Sequence, residues 1–291
     1  MQVVHTIPEL RQALAGSQQP ALVPTMGNLH EGHISLVQRA KPLGDRLVTS
    51  IFVNRLQFLP HEDFDSYPRT LQDDCEKLET AGCDIVFAPK ESDLYPVPQT
   101  FKVQPDPALG DLLEGHFRPG FFTGVCTVVM KLFSATLLGH AKSTAVFGQK
   151  DYQQLMVIRR MVQQFALPID VVAVPTARAG DGLALSSRNR YLSPEQREQA
   201  TALSRALTDL SQAALRAVQA GCNWAQTVPE LEAQAMAQLQ AQGWQPDYLT
   251  LRRRADLLAP TAADGVGELV ALQQFVLGRG RAGDSGGRLD S

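Results

Sequence analysis

Residues 21–33 read ALVPTMGNLHEGH, and the character of the chain changes in the middle of them. ALVPT is a short β-rich run, while a helical pattern sets in near His33, so Met26 to His33 form a passage from strand to helix. Gly27 and Gly32 permit tight turns and close backbone approach in that passage. The helix start offers free N–H groups and the positive end of a dipole. His30 and His33 add imidazole donors at the same place. A strand-to-helix junction of a parallel sheet is where nucleotides bind, and this reading is preferred over histidines that only cap a helix. The spacing excludes a metalloprotease: H-E-x-x-H places its ligands four apart, and here H-E-G-H places them three apart.

The same grammar continues outward. LVTSIFV (47–53), a helix from about Arg69, DIVFAP (84–89), a helix near Val125 to Leu138, TAVFG (144–148), the helix QQLMVIRRMVQQF (153–165) and DVVAVPT (170–176) alternate strand with helix. Such alternation predicts an α/β fold with a parallel sheet. Leu155, Ile158, Met161, Val162 and Phe165 recur at helical period and are expected in the core.

After Pro175 a polar loop, GDGLALSSRNRYLS, leads into a helix capped by Ser193, with Pro194 in its first turn and Gln196 reaching back. A second domain therefore starts near Thr176. It holds two long Ala/Gln/Leu-rich helices and the strand-like runs DYLTLR and ELVALQQFVL. The end, GRGRAGDSGGRLDS, offers few apolar residues and reads as a mobile tail. The boundaries expected are 1–175, 176–278 and 279–291. The length of 291 residues agrees with about two domains.

Composition narrows the function. With 44% hydrophobic and 20% charged residues and a formal net charge of -3, the chain is that of a globular protein without the basic field nucleic-acid binding requires. No apolar run is long enough to span a bilayer, and the first residues lack the pattern of a signal peptide, so a cytosolic protein is expected. Cys75, Cys83, Cys126 and Cys222 lie far apart without a C-x-x-C pair and are read as reduced thiols.

Three further segments carry chemistry. In FGQKDYQQ (147–154) Lys150 supplies a mobile positive charge for phosphate. Asp151 either accepts a ribose hydroxyl or caps a helix, and Gln154 can donate and accept to a polar substrate. In LALSSRN (183–189) Ser186, Ser187 and Arg188 suit an anion clamp. In SIFVNRLQF (50–58) Asn54 and Gln57 emerge beyond the carboxyl end of a strand, where a second substrate would lie. Asp73 and Asp74, at a probable helix start, are read as solvated partners of the helix dipole in preference to a magnesium site.

Taken together, PTMGNLHEGH, SIFVN-LQF, YPRTL, FRPGFFTGV, FG-KDYQQL-VIRRMV and DGLALSSRNRYLS resemble the pantothenate synthetase (pantoate-beta-alanine ligase) family of the HxGH nucleotidyltransferase superfamily. The resemblance implies a Rossmann-like domain followed by a smaller α+β C-terminal lid domain, and a homodimer. It implies ATP, accompanied by Mg2+, along Met26, Gly27, Asn28, Leu29, His30, Glu31, Gly32 and His33. ATP is further implied at Gly148, Gln149, Lys150 and Asp151, at the backbone of Ala177, and at Leu185, Ser186, Ser187 and Arg188. It makes His33 the catalytic histidine, with Gln57 and Gln154 on pantoate and Gln57 also touching beta-alanine. In the implied reaction pantoate attacks the α-phosphorus of ATP. His30, His33 and Lys150, helped by Arg188, meet the developing charge, and beta-alanine then displaces AMP. Arg55, Gln149 and Lys77 depart from the residues some relatives carry, and the last residues match the family's ending poorly.

Overall fold

The computed structural model describes residues 1–60, 62–277 and 288–290. The chain separates into two units, Met1–Asp111 with Arg118–Ala177, and Leu112–Phe117 with Arg178–Ser291.

In the first unit the elements run β1 (Gln2–Val4), α1 (Ile7–Ala13), β2 (Pro20–Thr25), α2 (Glu31–Ala40), β3 (Arg46–Ile51), α3 (Leu71–Thr80), β4 (Ile85–Phe87), α4 (Phe121–Thr136), β5 (Ser143–Gly148), α5 (Tyr152–Gln164) and β6 (Ile169–Val174), with short helical turns between β4 and α4. The six strands form one parallel sheet in the order β1-β4-β3-β2-β5-β6, so the α/β expectation holds. β1 and α1 are additions to the expected elements, because three strand residues at a terminus give no periodicity to read.

The chain leaves β2 toward β3 on one side and returns to β5 on the other. β2 and β5 are thus the strands between which the winding reverses, and the crevice at their carboxyl ends is the binding place such sheets provide. Pairing of β2 with β3 runs from Pro20↔Arg46 to Thr25↔Ile51, whereas pairing of β2 with β5 stops at Leu22↔Ala145. Pro24 lacks the N–H that would continue the second ladder. The two strands therefore part just before the loops that follow them.

One face of the sheet is packed by Ala21, Val23, Val37, Ala40, Leu47, Leu78 and Val86, all at or near full burial, together with Leu29 from the β2–α2 loop. On α5, Leu155, Ile158, Met161 and Val162 are buried as expected. Phe165 is a correction: it is 57% exposed. It is the C-cap of α5, where the chain leaves the helix and the apolar stripe no longer continues. The strand expected over 47–53 likewise ends at Ile51.

The second unit contains α6 (Pro194–Gln219), α7 (Trp224–Ala241), β7 (Trp244–Arg253), β8 (Leu269–Leu277) and β9 (Arg288–Asp290). Ser193 caps α6 in a capping box with Gln196, as the sequence predicts. The strands make a three-stranded antiparallel sheet, β7-β8-β9. Leu203, Leu210, Trp224, Val228, Leu239, Trp244, Leu249 and Leu251 form its core. Glu232 of α7 accepts from the Thr250 hydroxyl at 2.6 Å and from the Leu251 N–H at 2.8 Å, which fixes the helix on the sheet.

Of the tail expected to be mobile over 279–291, residues 279–287 and 291 lie outside the described residues. Residues 288–290 depart from that expectation, since they pair with β8. An edge strand leaves backbone N–H and C=O groups unpaired, and a short segment can satisfy them through its own backbone without burying side chains.

Candidate active site

The passage from β2 to α2 is shaped by its backbone first. Gly27 has φ +83 and Asn28 φ 51, a left-handed pair that turns the chain sharply at the strand end. A Cβ at Gly27 would lie 3.0 Å from Ile51 Cγ2 and 3.2 Å from Asp74 Oδ2, so a larger residue is excluded by space as well as by φ. The Thr25 hydroxyl donates to the Ser50 carbonyl at 2.8 Å and accepts from the Gly27 N–H at 3.2 Å.

Asp74 holds the loop from outside, and it corrects the reading of the Asp pair as solvated. Its side chain is fully buried. It accepts from the Asn28 N–H at 2.9 Å, the Leu29 N–H at 2.7 Å and the Thr70 hydroxyl at 3.1 Å. A carboxylate engaged in these bonds is a poor magnesium ligand. Asp73, its neighbour, is exposed. Sequence reasoning missed Asp74 because helical geometry decides which of two adjacent acids faces inward.

His30 is the N-cap of α2, and its Nδ1 accepts from the Gly32 N–H at 3.1 Å. His33, in the first turn, accepts at Nδ1 from the His30 N–H at 3.3 Å. The rings lie 4.1 Å apart, tilted by 38°. Because each Nδ1 receives an amide proton, the ring proton of a neutral imidazole must sit on Nε2. Burial, then the charges of Lys150 and Lys77, lower the His30 pKa to about 4. Burial, then His30, Lys150 and Lys77, lower that of His33 to about 3. Two neutral imidazoles therefore offer two Nε2–H donors, fixed in tautomer by the helix start itself. Helix capping at Nδ1 leaves the Nε2 end of each ring as a donor, so the two readings of the sequence are compatible.

Lys150 follows β5 in the turn Gln149–Asp151 and is only 18% exposed, with Asp151 Oδ1 3.7 Å away. Its charge helps to lower the pKa of both histidines, and it follows the carboxyl end of β5 as they follow that of β2. Asp151 makes no capping hydrogen bond to α5. Gly148 ends β5 and Gln149 is exposed. Ala177 lies near Gly32, where its Cβ would be 3.5 Å from an added side chain.

Gln57 is held in a network. Its Nε2 lies 3.1 Å from Met26 Sδ, and its Oε1 accepts from Asn54 Nδ2 at 3.2 Å. Asn54, 1% exposed, also donates to the Gly124 carbonyl at 3.1 Å and accepts from the Tyr95 hydroxyl at 3.1 Å. Asn54 therefore orients Gln57. The Gln57 carbonyl accepts from Arg118 Nη2 at 3.0 Å, and Arg118 is paired with Glu62 at 2.7 and 2.8 Å. A Cβ at Gly124 would fall 2.2 Å from the Leu56 carbonyl oxygen, so α4 packs directly on the turn that carries Gln57. Arg118 and Glu62 gave no signal as a pair, being 56 residues apart. Gln154 is half-buried on the first turn of α5, while its neighbour Gln153 is buried and donates to the Leu109 carbonyl at 2.8 Å.

Leu185, Ser186, Ser187 and Arg188 belong to the second unit. Ser186 caps the short 3-10 turn Ser187–Tyr191 by accepting from the Arg188 N–H at 3.3 Å. The Asn189 side chain donates to the Ala184 carbonyl at 2.9 Å.

All four cysteines are free thiols. Among the described residues no group of three His, Cys, Asp or Glu side chains is placed to hold a metal, and no helix is long and apolar enough to cross a membrane.

A parallel sheet whose winding reverses at β2 and β5, with a glycine turn and a helix start after β2 and a lysine after β5, defines a Rossmann-like protein. The comparisons narrow the class. The family model of pantoate-beta-alanine ligase matches residues 2–284. The pantothenate synthetase of Paracidovorax citrulli is 65% identical over 98% of this chain and 99% of its own length. That of Leptothrix cholodnii is 61% identical over 98% and 97%. The crystal structure of pantothenate synthetase from Thermus thermophilus superimposes with a TM-score of 0.81 at 40% identity, covering 100% of this chain and 99% of that one. Pantoate-beta-alanine ligase from Francisella tularensis, solved in complex with beta-gamma ATP and beta-alanine, gives 0.72 at 32% identity over 86% and 89%. The chain belongs to the pantoate-beta-alanine ligase family.

Proposed function

We propose that the crevice between β2 and β5 binds ATP and activates pantoate as an enzyme-bound pantoyl-adenylate, which beta-alanine then converts to pantothenate and AMP. The chain is a pantoate-beta-alanine ligase. The observation that supports the mechanism is the pair of tautomer-fixed Nε2–H donors at the carboxyl end of β2, with Lys150 just after the neighbouring β5.

The pantoate carboxylate is itself the nucleophile, so the protein must position and stabilise. As its oxygen bonds to the α-phosphorus and the bond to pyrophosphate breaks, negative charge grows on the phosphate oxygens. His30, His33 and Lys150 meet it. Gln57, set by Asn54 and Arg118, and Gln154 hold pantoate. The beta-alanine nitrogen then attacks the acyl carbon, and AMP leaves. For Leu185, Ser186, Ser187 and Arg188 the support is the motif they form, and Arg188 is assigned to ATP on that resemblance. Magnesium would travel with the triphosphate, held mainly by phosphate and water, as suits an ion that dehydrates reluctantly. We further propose a homodimer acting in the cytosol, which size measurement in solution and cell fractionation test.

The deciding experiment gives the protein ATP, magnesium and labelled pyrophosphate, with and without pantoate. Label should enter ATP only with pantoate and without any need for beta-alanine. Rapid gel filtration followed by beta-alanine should then yield pantothenate from the protein fraction, because a free mixed anhydride would hydrolyse. Absence of exchange, or adenylate found only among the small molecules, would sink the bound-intermediate mechanism.

A further inference from the structure

The face of α3 that carries Asp74 brings a second charged group to the same loop. Lys77 lies one helical turn beyond Asp74, and its Nζ donates to the Leu29 carbonyl at 2.8 Å. Leu29 immediately precedes His30, so the ammonium is tied to the backbone where the chain enters α2.

Two observations distinguish this lysine from a surface residue that merely bridges helix and loop. Among the described residues its one hydrogen-bond partner is that neutral carbonyl, and no carboxylate stands within ion-pair distance of it. The acid one turn away does not neutralise it by contact, since Asp74 is engaged by two amides and the Thr70 hydroxyl. The residue is also exposed, unlike the buried Asp74 one turn before it. An ammonium has three N–H bonds, and one of them is spent on Leu29. The position of that charge is felt at both imidazoles, where Lys77 acts in the same direction as Lys150. A carbonyl can be satisfied equally by a neutral donor, so the tether alone gives no reason for a charge here.

We infer that Lys77 is a further cation of the phosphate site, held by the Leu29 carbonyl so that its remaining N–H bonds serve the phosphates of ATP alongside Lys150. The inference rests on the ATP reading of the β2–α2 loop.

The test separates charge from tether. ATP with magnesium is titrated calorimetrically into the full-length protein and into Lys77→Gln, Lys77→Met and Lys77→Arg, after thermal unfolding has shown that each is folded. Glutamine keeps a neutral donor for Leu29 and loses the charge; methionine loses both; arginine keeps both. Lys77→Gln and Lys77→Met should each bind ATP roughly three- to tenfold more weakly, with Lys77→Arg within about twofold of the parent, as expected for one charge-assisted contact near the surface. The difference should narrow as salt is raised. ATP binding by Lys77→Gln equal to that of the parent overturns the proposal. If Lys77→Met alone is then weak, the residue is a tether, and if neither is weak it has no part in the site. Pantoate-dependent pyrophosphate exchange is measured on the parent protein in parallel. Normal ATP binding without exchange would refute the adenylate mechanism while leaving Lys77 judged by the titration. Failure of the parent to bind ATP would overturn both.

Discussion

Residues 26–33 are gripped by side chains from a distant helix, whereas at residues 185–188 the cap of the following turn comes from within the stretch itself. The first stretch is pinned by a buried carboxylate and a lysine from α3, more than forty positions away, and its own histidines cap the following helix. In the second, Ser186 bonds two residues along, and Asn189 reaches back five. Both have the composition of anion-binding segments, and in the first the helix start fixes the tautomer of both histidine rings. Preorganised donors are worth more in a transition state than donors that must be gathered, since no reorganisation is required at the moment of reaction.

That contrast can be broken most directly at the proposed donors. His33→Ala and Lys150→Ala should each lower turnover by about a hundredfold or more while the fold survives, the scale of losing one oriented donor. Near-normal turnover in either folded variant removes that residue from the proposed chemistry. The support behind the donors comes next. Asp74→Ala leaves two amides of the β2–α2 loop without their buried acceptor, so unfolding stability should fall by about 2–4 kcal/mol, together with a loss of activity. Denaturant titration beside steady-state kinetics tests this, and an unchanged midpoint would show that the loop does not depend on α3.

Gln57→Ala should raise KM for pantoate about tenfold with much less effect on ATP, because its amide faces the proposed pantoate position. Equal losses for both substrates would place it on the nucleotide. Ser186→Ala should cost less than about 1 kcal/mol of stability, the ordinary value of one cap on a short turn. A larger loss would show that the Ser186 hydroxyl supports more than this one turn.

The histidine pair sharpens the comparison through pH. Both rings are held below the ordinary 6.5, at about 4 for His30 and about 3 for His33, chiefly by burial. As pH falls below 6.5 the unfolded chain takes up protons that the folded loop refuses, so stability rises with pH across this window and is lost as pH falls toward 3. His30→Gln and His33→Gln, which keep a side-chain acceptor, should each make the acid-side fall in melting temperature shallower. A slope unchanged in both would mean that the rings titrate normally and are not desolvated.

The sequence by itself determined the α/β alternation, the strand-to-helix passage at Met26 to His33 and the family. Each follows from local information: period along the chain, glycines where a turn requires φ > 0, and a contiguous motif such as PTMGNLHEGH. Tertiary structure decided what depends on groups distant in sequence. Asp73 and Asp74 are indistinguishable as letters, and only the rotation of α3 against the sheet sends Asp74 to the amides of Asn28 and Leu29 and leaves Asp73 in water. Arg118 and Glu62 likewise give no sign of a partnership until α4 meets the turn carrying Gln57, where the absent side chain of Gly124 allows the approach. Phe165 continues an apolar period that the helix itself does not, so periodicity alone put it in the core. Burial and hydrogen-bond partnership are properties of the packed chain, because they are set by what another segment brings within about 3 Å.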